Sequence, residues 1–119
     1  MLANWVFLLG VALIFTHELD AIRHHEWRMF AFLRPLEDVN AYYVFTLAHI
    51  PLFLLFLWNV ANPSLTFAIA ADLFLIIHVG LHILFRNHPL YEFRGWVSNG
   101  LIGGAGLTGT LHLILLAYL

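Results

Sequence analysis

Four apolar segments of about twenty residues, separated by polar connections, constrain this chain more than any other feature. We predict membrane-spanning helices over residues 2–22, 39–60, 65–85 and 96–118, since a spanning helix needs roughly 20 apolar residues. The sequence lacks the alternation of apolar and polar residues that would indicate spanning strands. Only 10% of the residues are charged, against about 25% in average soluble domains. The sequence therefore predicts an all-α, polytopic four-helix transmembrane bundle, forming a single domain over residues 1–119.

The distribution of charge predicts how the bundle lies in the membrane. All five Arg fall in the first and third connections, and the opposite side carries none. Because Lys and Arg are enriched in cytoplasmic loops, we expect both termini on the non-cytoplasmic side. Nucleic acid is not an expected partner, since a net charge of -2 leaves no broad basic face. The segment from His24 to Leu36 is expected to extend the first helix or to lie in the membrane interface.

Ionisable side chains inside the predicted spans are the main functional candidates. A charged side chain costs at least ~2.5–3.5 kcal/mol at the centre of a spanning helix, so such residues commonly mark functional sites. Along the first helix and the residues that follow it, His17, Asp20, His24 and Arg28 share one helical stripe, and Glu18 and His25 form a second about a quarter turn away. A carboxylate on either stripe can be a ligand or can orient an imidazole.

The third span carries two His one helical turn apart. His78 and His82 show the i,i+4 spacing with which one helix can bind one metal ion. His17, His49 and His78 are expected within roughly 6 Å of one another in depth. We therefore predict one shared cofactor or metal site, whose metal ligands come from His17, Glu18, Asp20, His24, His49, His78 and His82.

The donor types narrow the cofactor. Imidazoles and carboxylates without any Cys suit iron, zinc or manganese, and we expect iron or zinc. The predicted function is a membrane metalloprotein, with an oxidoreductase acting on a lipid-phase substrate as its more specific form. One alternative is a b-type haem or pigment protein, in which His17 or His49 faces His78 across the cofactor. Two others are a purely structural polar network and a non-enzymatic subunit of a larger membrane complex.

The fourth span is rich in glycine. Gly100, Gly103 and Gly104 predict a face on which a second copy or a larger membrane complex, besides lipids, can pack. We expect Gly104 to lie in a tighter helix contact than Gly10, which stands among large apolar residues. His112 is expected at a different depth from His17, where it can pair with Asp72.

Several short segments carry a family resemblance. FTHELDA, EWR, HIPLF and the D-x5-H-x3-H stretch ending in FRNHP resemble an uncharacterised family of small bacterial four-helix membrane proteins. The first His is also loosely similar to that of membrane proteins named for an HXXEE motif, although the acids here follow it by one and three residues. The resemblance covers most of the chain and implies a bacterial cytoplasmic or thylakoid membrane, but no reaction. Its signature positions are His17, Glu18, Asp20, Glu26, Trp27, Arg28, His49, Asp72, His78 and His82.

Overall fold

The computed structural model describes residues 1–118, which form four long helices and two short 3-10 turns. The helices, α1 to α4 in chain order, cover Leu2–Arg23, Asp38–Ala61, Leu65–Phe85 and Trp96–Ala117. All four are long and apolar enough to cross a membrane. The predicted all-α four-helix bundle is confirmed, and each helix bound differs from the predicted span by at most one residue. The side on which the termini lie stays a prediction.

Helix α4 lies at the centre of the packing, with extensive contacts to α1 and α3. Helix α2 is peripheral and contacts mainly α1 and the first 3-10 turn, Glu26–Met29. Two glycines allow α3 and α4 to approach closely. A Cβ on Gly106 would overlap the Val79 side chain, and one on Gly109 would lie 3.0 Å from the Asp72 carbonyl oxygen.

The glycines of α1 and α4 differ from the sequence expectation in one respect. A Cβ on Gly10 would lie 3.0 Å from Thr108 Oγ1, whereas one on Gly104 would lie 3.4 Å from Leu13 Cδ1. The expectation that Gly104 is the tighter position is wrong, because α1 crosses α4 at Thr108 and leaves no room for a side chain at Gly10. Gly100 and Gly103 have nothing within 4 Å of their Cβ positions. That a partner packs on this open face stays a prediction.

The connection after α1 turns back under the bundle instead of extending the helix. Helix α1 ends at Arg23, and His25 adopts the left-handed conformation with φ 52°. A left-handed residue cannot continue a right-handed helix. Trp27 and Leu33, which follow in the two 3-10 turns, are buried in one apolar cluster with Phe45 of α2. The expected helical extension is therefore wrong.

A hydrogen-bonded pair ties this connection to the start of α2. Arg28 Nε donates to Asp38 Oδ1 at 2.8 Å, and Arg28 Nη2 donates to Asp38 Oδ2 at 3.0 Å. Trp27 Nε1 donates to the same Oδ1 at 3.0 Å. The hydrogen-bonded carboxylate raises the pKa of Arg28 above its usual value. These bonds hold the first 3-10 turn, including Glu26, in its position beneath α1.

Candidate metal centre

Four side chains from three parts of the chain converge at the end of the bundle that carries the first and third connections. His17 comes from the last turns of α1, Glu26 from the first 3-10 turn, and His78 and His82 from α3. Each offers one ligand atom, and these four atoms lie within 4.8 Å of one another. His17, Glu26 and His82 are buried, and His78 is half-buried.

Four of the separations within this group, hereafter the His/Glu cluster, lie near those expected around a single small cation. His78 Nε2 lies 2.8 Å from His17 Nε2 and 3.2 Å from His82 Nε2. Glu26 Oε2 lies 3.4 Å from His17 Nε2 and 3.8 Å from His82 Nε2. Around a tetrahedral zinc ion with bonds of about 2.0–2.1 Å, neighbouring ligand atoms are ~3.3 Å apart. The observed separations lie on both sides of that value.

Burial makes the cluster costly unless something satisfies its polar atoms. His17 is fully buried and Glu26 is 4% exposed. Glu26 Oε2 and His17 Nδ1 have no hydrogen-bond partner among the described residues. A buried carboxylate without hydrogen bonds or a counter-charge is strongly unfavourable. Oε2 faces the Nε2 atoms of His17 and His82, so the cluster contains a buried carboxylate oxygen that is directed at two ring nitrogens and has no hydrogen-bond partner among the described residues.

The surroundings of the cluster hold the His82 ring in place. His82 Nδ1 lies 3.2 Å from the Tyr91 hydroxyl, and the His82 ring packs edge-on against Phe93 at 4.7 Å between centroids. Burial raises the pKa of Tyr91, so its hydroxyl stays protonated. With Nε2 turned to the cluster, Nδ1 is free to donate to the phenol oxygen. This is the usual arrangement by which an outer partner orients a metal-binding imidazole.

His49 and Glu18, two of the predicted ligands, form a separate pair. His49 Nε2 lies 2.7 Å from Glu18 Oε2, and His49 Nδ1 lies 2.7 Å from the Phe45 carbonyl oxygen. Both ring nitrogens thus face oxygen atoms, and neither is directed at the His/Glu cluster. A similar depth along the helices does not place the His49 ring beside His17 or His78. Helix α2 is rotated so that the His49 ring faces Glu18 instead.

Asp20 and His24 also lie outside the His/Glu cluster. Asp20 Oδ2 accepts a hydrogen bond from Ser98 Oγ at 2.5 Å, which links α1 to the start of α4. His24 Nδ1 lies 2.8 Å from the Asp20 carbonyl oxygen and 3.2 Å from its Oδ1. The predicted ligand set therefore divides: the structure brings together His17, His78 and His82, and it places Glu18, Asp20, His24 and His49 in other contacts.

Glu26 was missed as a ligand by sequence reasoning, although it is one of the signature positions. The sequence leaves this segment either extending the first helix or lying in the membrane interface, and neither alternative predicts that Glu26 folds back to His17. A useful signal was present nevertheless: Trp27 follows Glu26 directly, and a large aromatic residue next to an acid indicates that the turn is anchored to apolar surface.

A cavity of about 260 Å³ adjoins the His/Glu cluster. It reaches Glu26, His78 and His82, and most of its remaining lining is apolar, from Met29, Phe30, Ala31, Leu81 and Phe85, with Arg34 also on its wall. Leu81 is 44% exposed and therefore stands at the outer surface of α3. The cluster thus has an apolar approach from the surface of the bundle.

A second buried His–acid pair lies nearer the opposite end of the bundle. His112 Nδ1 of α4 lies 2.6 Å from Asp72 Oδ2 of α3, and both residues are buried. The pairing expected from the sequence is confirmed. The His112 ring also contacts Phe7 of α1, at 5.2 Å between ring centroids.

Fold and site together define the class: a membrane-type four-helix protein in which a buried group of three His and one Glu could hold a metal ion. Residues 3–119 match the model of a family described as a family of unknown function, DUF6713, and the chain belongs to that family. The predicted membership of an uncharacterised family is confirmed. Its bacterial origin and its signature segments stay predictions. No curated protein and no solved structure matches the chain.

Proposed function

We propose that this protein is a membrane metalloprotein that binds one transition-metal ion through His17, His78, His82 and Glu26. The observation that carries this proposal is the convergence of four ligand atoms, from mostly buried side chains, within 4.8 Å. Imidazole and carboxylate donors without thiolate suit zinc and iron. Zinc fits if all four side chains bind and close a four-coordinate site, whereas iron suits a site of His and carboxylate ligands that keeps open positions and carries redox chemistry.

A structural polar network explains the His/Glu cluster less well. Two neutral imidazole nitrogens in contact need one proton between their lone pairs. His78 Nε2 faces the Nε2 atoms of both His17 and His82, and Glu26 Oε2 has no hydrogen-bond partner among the described residues. One cation satisfies all four atoms at once, because metal binding uses the deprotonated ring nitrogen and the carboxylate.

The geometry also favours a bare ion over haem. Haem iron held by two axial His lies in a porphyrin plane between the two rings. His17 and His78, one of the predicted axial pairs, have their Nε2 atoms 2.8 Å apart, with no space between them for a macrocycle. His49, the other predicted axial ligand, has both ring nitrogens engaged by Glu18 and Phe45.

An oxidoreductase acting on a lipid-phase substrate is the more specific form of this proposal, and the apolar cavity supports it. A catalytic metal needs an open coordination position that a substrate can reach. The cavity meets three of the four ligands, Glu26, His78 and His82, and is lined mainly by apolar side chains. A molecule dissolved in the bilayer therefore has a path to the metal that does not cross water.

Elemental analysis of the purified protein tests metal binding. We expect about one zinc or iron per chain, and severalfold less in Glu26→Gln, which keeps the shape of the side chain but removes the anionic ligand. His88→Ala is the matched control, because His88 lies in the third connection and contacts Arg34 instead of the cluster. Full occupancy in Glu26→Gln, or no metal in the parent protein, would contradict the proposal.

Access to the metal is tested with cobalt and azide. In the cobalt-substituted protein, azide that reaches an open position changes the visible absorption of the metal. Leu81→Trp should fill the cavity and weaken azide binding, whereas Leu84→Trp should not, since Leu84 is 73% exposed and does not line the cavity. Equal azide binding by the two variants would contradict access through this cavity, and a spectrum that azide never changes would indicate a closed, structural site.

A further inference from the structure

A second cavity, of about 300 Å³, lies at the end of the bundle that carries the N-terminus and the turn between α2 and α3. Phe7 borders it, and Phe7 is ten residues from His17 on α1, so the cavity lies about 15 Å from the His/Glu cluster at 1.5 Å per residue. Most of its wall is apolar. Its apolar lining includes Phe7, Leu8, Val60, Leu65 and Leu116, and Asn4 and Ser64 also border it.

The buried pair of His112 and Asp72 supplies one polar group to this cavity. Asp72 is 1% exposed and accepts from His112 Nδ1 at 2.6 Å. With the proton on Nδ1, the other ring nitrogen, Nε2, carries a lone pair. Nε2 has no hydrogen-bond partner among the described residues, and the His112 ring borders the cavity. A buried carboxylate therefore orients a hydrogen-bond acceptor toward an apolar space.

Asn59 supplies a second polar group, which can donate a hydrogen bond where His112 accepts one. Its side chain is 5% exposed, and its Oδ1 accepts a hydrogen bond from the Ser64 backbone N–H at 3.0 Å. That bond leaves the Asn59 amide nitrogen as a donor without a partner in the described part of the chain. Asn59 lines the same cavity as His112. Two buried polar side chains on different helices, one accepting and one donating, thus border one apolar chamber.

We propose that this cavity binds the hydroxyl head of a small amphipathic alcohol or phenol from the lipid phase. A hydroxyl group both donates and accepts, so it can donate to His112 Nε2 and leave its oxygen for the Asn59 amide. The cavity volume is at the small end of the range for ligand pockets, about 300–1,000 Å³. It accommodates a head group and a short apolar body, and any longer chain extends into the bilayer. A ketone or an ether of the same shape lacks the donor that His112 requires.

The test compares two probes that differ only in the O–H group. A fluorinated hexylphenol and its methyl ether are titrated into the protein in lipid nanodiscs, with empty nanodiscs as the blank, and saturable binding is followed by fluorine NMR. We expect the phenol to bind about tenfold more tightly than the ether, because the ether leaves His112 Nε2 without a hydrogen-bond donor. Equal affinities, or no saturable binding of the phenol, would overturn the proposal.

The variants show whether His112 is the acceptor. His112→Phe keeps an aromatic ring that can pack against Phe7 but removes both ring nitrogens, including the Nδ1 that bonds Asp72, so the folded variant should lose the preference for phenol over ether. Phe67→Leu, close to the cavity but not part of its lining, should keep that preference. Metal content serves as the check on folding, because the His/Glu cluster shares no residue with this site. A folded His112→Phe that still prefers the phenol would overturn the assignment.

Discussion

The two ends of this bundle combine imidazoles and carboxylates in different proportions. At the end with the longer connections, three imidazoles face one carboxylate, and Glu26 Oε2 has no hydrogen-bond partner among the described residues. Toward the other end, one imidazole faces one carboxylate, His112 with Asp72, at 2.6 Å. The pair of His49 and Glu18 follows the second pattern, with one acid for one His.

The difference supports the proposal that the His/Glu cluster, and not the paired His residues, binds an external cation. In a matched pair, the ring proton lies between nitrogen and carboxylate, and both groups are satisfied within the protein. Where three ring nitrogens and one carboxylate oxygen converge, a single metal ion can contact all four atoms at once. A count of His inside a membrane span is therefore a weaker guide to a metal site than the ratio of imidazoles to carboxylates at one point in space.

The largest expected effect separates the His/Glu cluster from a matched pair. His78→Phe removes the ligand that contacts both other imidazoles, whereas His49→Phe removes one half of a pair. Loss of outer partners alone weakens metal binding about 10–100-fold, so loss of this ligand should weaken it at least about 100-fold. His49→Phe should change it less than twofold. Chelator competition monitored by elemental analysis measures both, and similar losses would show that the two groups form one site.

The close contact between Gly109 and the Asp72 backbone tests whether the two ends of the bundle behave as separate sites. Gly109→Ala places a methyl group 3.0 Å from the Asp72 carbonyl oxygen, and such overpacking costs about 1–3 kcal/mol. Gly103→Ala meets nothing within 4 Å and should stabilise the helix by about 0.5–1 kcal/mol. Thermal unfolding in detergent shows whether each variant is more or less stable than the parent protein. If Gly109→Ala also lost its metal, the two ends could not be treated as separate sites.

Tyr91, which contacts His82 from outside the cluster, should affect the metal affinity less than a ligand does. Tyr91→Phe removes only the hydroxyl 3.2 Å from His82 Nδ1 and should weaken metal binding about tenfold. Tyr43→Phe is the control, because Tyr43 lies on the exposed face of α2. Competition with a chelator of known affinity measures the difference. An unchanged affinity in Tyr91→Phe would mean that the His82 ring is oriented by packing against Phe93 alone.

The smallest expected effect concerns the ion pair that ties the first connection to α2. Arg28→Gln breaks the two hydrogen bonds to Asp38, but pairs at an exposed surface contribute little to stability. Trp27 still donates to Asp38 and remains buried. Metal content should therefore change by less than twofold. A large loss would show that Glu26 is held in the cluster by this surface pair and not by the buried Trp27.

The helices themselves could be predicted closely, because each depends on a local property of the chain. A run of about twenty apolar residues is sufficient for a spanning helix, and the observed bounds agree with the predicted spans to within one residue. The pairing of His78 with His82 is equally local, because residues four apart on a helix always face the same way. His17 was a candidate because burying its polar ring in a membrane span is energetically costly.

The partner of each polar side chain was decided only by the tertiary structure. Depth in the membrane follows from residue number, but the direction of a side chain depends on how its helix is rotated against its neighbours, and that rotation turned His49 toward Glu18. Glu26 reaches the cluster because His25 ends the helix and the chain folds back over buried Trp27. By itself, the sequence determined the four helices and the His78–His82 face, which are properties of single segments. The composition of the candidate metal centre required packing between segments, which no single segment encodes.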